Sequence, residues 1–168
     1  LHMGCSSGQL TLRLKELYPD AEVWGVDVGG PMVRYAHMRG VDLGIDANFR
    51  QALAEDTGFP DGYFDIVTSF LLFHEVSSEG AEQIINEGHR LLRPGGVFYA
   101  RDQRDWARMR ERTAFSRYQA RWIWRWNHEV WQRDHGNNDY PKLLSDAGLN
   151  VSNPRGERAT GNARSELM

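Results

Sequence analysis

From residue 1 to 100, short runs rich in β-branched and aromatic residues alternate with segments whose apolar positions recur every three or four residues. That alternation predicts βαβ units feeding a parallel sheet. Leu10, Leu14 and Leu17 fall at i, i+4 and i+7 after Gly8, so they predict a helix with an apolar stripe on one face that stops at Pro19 and Asp20. "EVWGVDV", residues 22–28, has the length and branching of a strand. Pro31 suits the first turn of a following helix, "PMVRYAHMRG", with Gly40 expected as its cap. Residues 41–53 are too polar to define a strand clearly, and the alternation asks only for a short one near Phe49–Leu53. The next signals are sharper. Pro60-Asp61-Gly62 is a turn leading into a buried strand over Phe64–Phe70, and a helix over Glu79–Leu92 should face the sheet with Ile84, Ile85, Leu91 and Leu92. Pro94-Gly95-Gly96 then turns the chain into the strand "VFYARD".

After residue 102 the pattern changes. Residues 103–133 carry five of the six tryptophans and many arginines, and Phe115, Tyr118, Trp122, Trp126 and Val130 recur as one helical stripe. Core packing is the simpler expectation for that stripe. Trp124 and Trp131 lie off it and are candidates for a pocket, lid or partner surface. "DYPKLLSDAGL" predicts a short helix ending at Gly148, and residues 149–168 have the mixed polarity of a terminal hairpin.

Composition narrows the picture without deciding it. With 168 residues, 40% hydrophobic and 26% charged, the chain suits one soluble globular domain, and a net charge of -3 argues against nucleic acid as the partner. The arginines after 102 are interleaved with Asp105, Glu111, Glu129 and Asp134, the pattern of a solvated face. One cysteine builds neither a disulfide framework nor a metal site, which fits a reducing, cytoplasmic setting. No apolar run approaches the roughly 18 residues of a membrane span, so no membrane insertion is expected. A Gly turn at position 4 implies that the strand leading into it begins before Leu1.

The candidate chemistry starts at that turn, "GCSSG", Gly4 to Gly8. A Gly-rich turn between strand and helix lets a ligand touch backbone and offers free N–H groups to negative charge. Ser6 stands at the second glycine position of a dinucleotide fingerprint, so the pattern disfavours a nicotinamide oxidoreductase. Asp27, at the end of the next strand, is placed to accept both hydroxyls of a ribose. Together they point to a ligand with an adenosine ribose and no pyrophosphate. Cys5 is better read as a small packing residue than as a nucleophile. His74 follows the fourth strand on the side where a parallel sheet opens its cleft; it is either a general base or a local loop-fixing histidine, the second reading being favoured.

The stretch "LHMGCSSGQLTLRLKELYPDAEVWGVDVGGPMVRYAHMR", followed by "ALAEDTGFPDGYFDIVTSFLLFHEV" and "EGHRLLRPGGVFYARD", resembles class I S-adenosylmethionine-dependent methyltransferases, most closely the branch acting on small molecules. The resemblance covers residues 1–102 and implies a Rossmann-like, mostly parallel sheet flanked by helices with an antiparallel terminal hairpin. It places residues 1–168 in one domain with 103–147 as a helical segment on the substrate side. It also implies S-adenosyl-L-methionine as cofactor. Gly4, Ser6 and Gly8 would meet its methionine portion, Asp27 the ribose, Met32 the adenine face, Ala54 and Glu55 the adenine edge, and Ser69 and Phe70 the methionine amino group. Three positions depart from the family pattern: His2 and Leu53 stand where acids or an amide are usual, and Ser6 where glycine is. The expected activity is methyl transfer to a small-molecule acceptor. The alternative is a catalytically inactive cofactor-binding paralogue with a regulatory or assembly role.

Overall fold

In the computed structural model, residues 1–102, 113–126, 130–152 and 159–163 are described. They form a seven-stranded sheet in the order β3-β2-β1-β4-β5-β7-β6. The strands are β1 (His2–Met3), β2 (Trp24–Asp27), β3 (Asn48–Gln51), β4 (Phe64–Phe70), β5 (Leu92–Arg101), β6 (Leu149–Val151) and β7 (Ala159–Ala163). β1 to β5 pair in parallel, while β7 runs antiparallel between β5 and β6. This is the Rossmann-like sheet with an antiparallel final hairpin that the resemblance implied. The strand order reverses between β1 and β4, so the loops leaving those two strands diverge and open a crevice at the carboxyl end of the sheet.

The helices are α1 (Gln9–Leu17), α2 (Gly30–Leu43), α3 (Ser78–Leu91), α4 (Ala114–Trp126), α5 (Gln132–Asn137) and α6 (Tyr140–Asp146). Ser77 caps α3 by accepting the Gly80 N–H, and Asp139 caps α6 by accepting the Lys142 N–H. Pro31 lies in the first turn of α2, where its missing N–H costs nothing. The core joins Met3, Val26, Val67 and Phe98 from the sheet to Ile84, Ile85 and Leu91 of α3 and Leu144 of α6. Among the described residues no helix is long and apolar enough to cross a membrane.

Several expectations are corrected. α1 buries Thr11 and Leu12, not the leucine stripe, and Leu17 is exposed. The helix is rotated because the Thr11 hydroxyl lies 2.9 Å from the His2 ring, a hydrogen bond that draws a polar residue inward. Gly40 does not end α2. A Cβ there would come within 3.2 Å of Leu12 Cδ2 and 3.1 Å of the Ile45 carbonyl, so the glycine lets α1 and the chain after α2 approach. The helix ends at Gly44, whose left-handed φ of 68° lets its N–H reach the carbonyls of Gly40 and Val41. Leu92 belongs to β5, not to α3, and β3 ends at Gln51, before Leu53. The largest correction concerns the aromatic stripe. Phe115, Tyr118, Trp122, Trp126 and Val130 are exposed, and the stripe does not lie on one helix: α4 ends at Trp126 and Trp131 is the N-cap of α5. The side chain of Trp124 lies outside the described residues.

α3 meets β5 at Gly88, where an added Cβ would lie 2.3 Å from Phe98 Cε2. Phe98 is fully buried and has no free direction to yield. Gly88→Ala is therefore expected to destabilise the fold by about 1–3 kcal/mol through overpacking, read as a lower midpoint in urea unfolding. An unchanged midpoint would show that the helix shifts freely.

Candidate functional site

The loop after β1 is built from left-handed residues: Gly4 has φ 69°, Ser6 φ 46° and Gly8 φ 74°. Gly8 also needs its missing side chain, because a Cβ would meet Ala36 at 2.7 Å and Phe49 at 2.9 Å. Cys5 N–H donates to the Val26 carbonyl at 2.8 Å, so the loop continues the β1–β2 pairing before it turns away. Ser6 pays for its conformation, since a left-handed φ costs an ordinary residue roughly 1–2 kcal/mol. The bulk of its hydroxyl is the lesser issue.

Asp27 holds this loop in place. Its Oδ2 accepts the Ser6 N–H and its Oδ1 accepts the Gly29 N–H, both at 2.8 Å. One carboxylate thus ties the turn after β1 to the turn after β2. Each oxygen keeps a second lone pair for a ligand hydroxyl. A Cβ on Gly29 would lie 3.1 Å from Asp27 Oδ1 and 3.4 Å from Met32 Cγ, so Asp27 and the exposed Met32 border the same glycine.

The remaining site candidates are spread along the crevice. Ser69 is buried at the end of β4, paired in register with Met3, and its Oγ has no hydrogen-bond partner among the described residues. Phe70 is partly exposed beside it, with the Arg101 guanidinium 5.6 Å from its ring centroid. Leu71 then takes a left-handed φ of 58°, which sequence reasoning missed. Leu72 packs against the cradle, its Cδ1 2.9 Å from where a Gly4 Cβ would sit. Ala54 packs on the core edge and Glu55 reaches the first turn of α3 near Gly80. Leu53 is exposed. Together, the orphaned Ser69 hydroxyl, the cradle bounded by Gly4 and Gly8 and the two-oxygen acid fit a nucleoside ligand with a polar tail.

Cys5 is buried, and burial first, with Asp27 second, pushes its thiol up to about 12. It therefore stays a neutral packing group at neutral pH. His74 is different. It sits buried in a short 3-10 turn, Phe73–Glu75, with Nδ1 2.6 Å from Asp102 Oδ1 and Nε2 3.2 Å from Glu75 Oε1. Asp102 also accepts the Phe73 N–H at 2.7 Å, which fixes the turn against the end of β5. His135 of α5 stacks edge-on to His74, centroids 6.3 Å apart, and its Nδ1 lies 2.6 Å from the Tyr140 hydroxyl. Burial pushes the Tyr140 phenol above its ordinary range. Asp102, His135 and Tyr140 escaped the sequence reading; the one available signal was that Asp102, like Asp27, closes a strand at the carboxyl edge. No group of three or more metal-ligating side chains gathers among the described residues.

A methyltransferase domain family matches residues 1–96. The chain belongs to this family. Within it, the chain is 38% identical over 96 residues to a demethylmenaquinone methyltransferase of Thermus thermophilus, covering 57% of this chain and 43% of that protein. It is 33% identical over 97 residues to a ubiquinone/menaquinone biosynthesis C-methyltransferase of Burkholderia cenocepacia, covering 57% and 39%. The chain thus spans less than half the length of these curated relatives. Among solved structures, a methyltransferase from Methanosarcina mazei superposes with a TM-score of 0.71 at 18% identity, over 98% of this chain and 92% of that one. Geranyl diphosphate methyltransferase, solved with S-adenosylmethionine, gives 0.73 at 19% identity, over 90% and 58%. These two likenesses show the fold.

Against the family pattern, the methyltransferase domain carries a buried imidazole at His2, whose Nε2 has no partner among the described residues. Burial is the main cause that lowers its pKa to about 4, with Asp27 opposing. The neutral ring is thus the folded form. A folded pKa below the unfolded value, about 6.5, makes stability greatest above that value and lost as pH falls toward 4. Unfolding free energy should drop by about 3 kcal/mol between pH 7 and pH 4 from this group. His2→Gln should flatten that slope in denaturant titrations; an unaltered slope would assign it to other groups.

Proposed function

We propose that this domain binds S-adenosyl-L-methionine and transfers its methyl group to a small-molecule acceptor. The observation that carries the reading is the left-handed Gly4–Gly8 cradle held by Asp27 at the switch point of the sheet. In this reading Gly4, Ser6 and Gly8 present backbone to the methionine portion of the cofactor. Asp27 accepts from the ribose hydroxyls, Met32 packs on the adenine, Ala54 and Glu55 border its edge, and Ser69 and Phe70 receive the amino group. When bound, the cofactor supplies an electrophilic methyl group on a sulfonium. The protein's share is alignment of the acceptor and exclusion of water.

His74 is the candidate general base for an acceptor that must shed a proton. The Asp102 carboxylate, at Nδ1, favours the tautomer with a proton there, in which Nε2 is the basic nitrogen. Glu75, whose side chain is exposed, must swing off Nε2 for that role. Asp102 is then a positioning residue.

Isothermal titration with S-adenosylmethionine and S-adenosylhomocysteine tests the first step. Asp27→Ala is expected to weaken both by at least tenfold, because a ribose acceptor and the Ser6 tie are lost together; equal affinity would remove Asp27 from the site. Demethylmenaquinone and geranyl diphosphate, the acceptors named for the relatives, are the first compounds to assay with labelled cofactor. His74→Gln and Asp102→Asn should lower turnover by roughly 10²–10⁴-fold with cofactor affinity intact, and Asp102→Asn should alter the pH profile. Cofactor binding without transfer to any acceptor would instead favour the binding-module reading.

A further inference from the structure

Helix α4 exposes two different rows of side chains. Phe115, Tyr118, Trp122 and Trp126 follow one line along it and are 67%, 64%, 51% and 62% exposed. Arg117, Arg121 and Arg125, each four residues from the next, form a second exposed row beside them. The rows meet at the C-terminal end, where the Arg125 guanidinium lies 5.7 Å from the Trp126 ring centroid. The helix sequence, AFSRYQARWIWRW, contains no acidic residue, although the whole chain has a net charge of -3. Val130 and Trp131 extend the exposed apolar surface just beyond the helix.

We propose that α4 is a docking helix for an anionic lipid surface. A helix with a continuous aromatic row and a neighbouring basic row lies in the plane of a membrane interface, its apolar face at the headgroup–acyl boundary. Tryptophan and tyrosine favour that depth because their rings are apolar and their tips polar. Arginine forks pair with lipid phosphates, and three of them in line complement a negative surface. Three of the chain's 20 lysines and arginines line up on this helix with no acidic residue in it, within a chain of net charge -3, so attraction needs close approach and gains from insertion of the aromatic row. Single-stranded nucleic acid is gripped in basic grooves with stacked bases, whereas here both rows stand on the outside of one helix. This inference concerns where the domain sits and holds or fails apart from methyl transfer.

The test is flotation of the 168-residue chain with vesicles of phosphatidylcholine alone and of equal parts phosphatidylcholine and phosphatidylglycerol. Binding is expected on the anionic vesicles, weakening as salt is raised, with tryptophan fluorescence quenched by brominated acyl chains. Replacing Arg117, Arg121 and Arg125 together by Gln should weaken it roughly a hundredfold, and Trp122→Ser with Trp126→Ser should reduce quenching by at least half. These side chains are exposed, and circular dichroism checks that each variant folds. Absence of vesicle binding, equal binding to both vesicle types, or full binding by the arginine variant overturns the proposal. So does single-stranded RNA displacing the chain from vesicles at lower concentration than added anionic lipid, or a dimer that sequesters the aromatic row in sedimentation.

Discussion

Two backbone N–H groups, from Ser6 and Gly29, converge on the carboxylate of Asp27. They belong to different crossover connections, so without the carboxylate each turn would have to find its own shape. A charged acceptor bonded to neutral donors is worth more than an ordinary hydrogen bond, and here it offsets the cost of holding Ser6 in the left-handed region. Cys5 and Gly25 pack beneath this contact, with Cys5 Cβ 2.9 Å from where a Gly25 Cβ would be. The cradle is therefore a rigid product of the sheet edge. The acid proposed to receive a ligand thus also assembles the loop around it.

The fold was legible wherever a local signal and a tertiary need coincide. Phe64–Phe70 is recognisable because its Phe, Ile and Val residues favour a strand and the Pro60-Asp61-Gly62 turn marks its start, although Asp65, Ile66 and Phe70 are exposed rather than buried. α1 misleads because its inward face is chosen by the polar His2–Thr11 contact, which no hydrophobic periodicity contains. Gly40 and Gly44 look alike in sequence yet serve different needs, one close packing and the other a positive φ. The aromatic stripe of α4 has the spacing of a buried face, yet the described core already has its covering helix in α3.

The site divides in the same way. Glycines and an acid at strand ends are sequence-local, so Gly4, Gly8 and Asp27 could be read from the chain. The grouping of His74 with Asp102, His135 and Tyr140 depends on β5 ending beside the turn after β4 and on α5 returning to it, and neither relation has a sequence period. Ser6 was legible as a departure from glycine, but the constraint at that position, a left-handed backbone angle, shows only in the structure.

The placement of β7 between β5 and β6 sets an order of events during synthesis. Among the described residues, β5, whose Phe98 reaches the centre of the core, has its outer edge covered by residues 159–163. Until that segment leaves the ribosome, a long strand with unpaired N–H and C=O groups stands open to other nascent chains. The last hairpin thus acts as a closing seam, and the interval between translation of residue 101 and residue 163 is when this sheet is most exposed to mispairing.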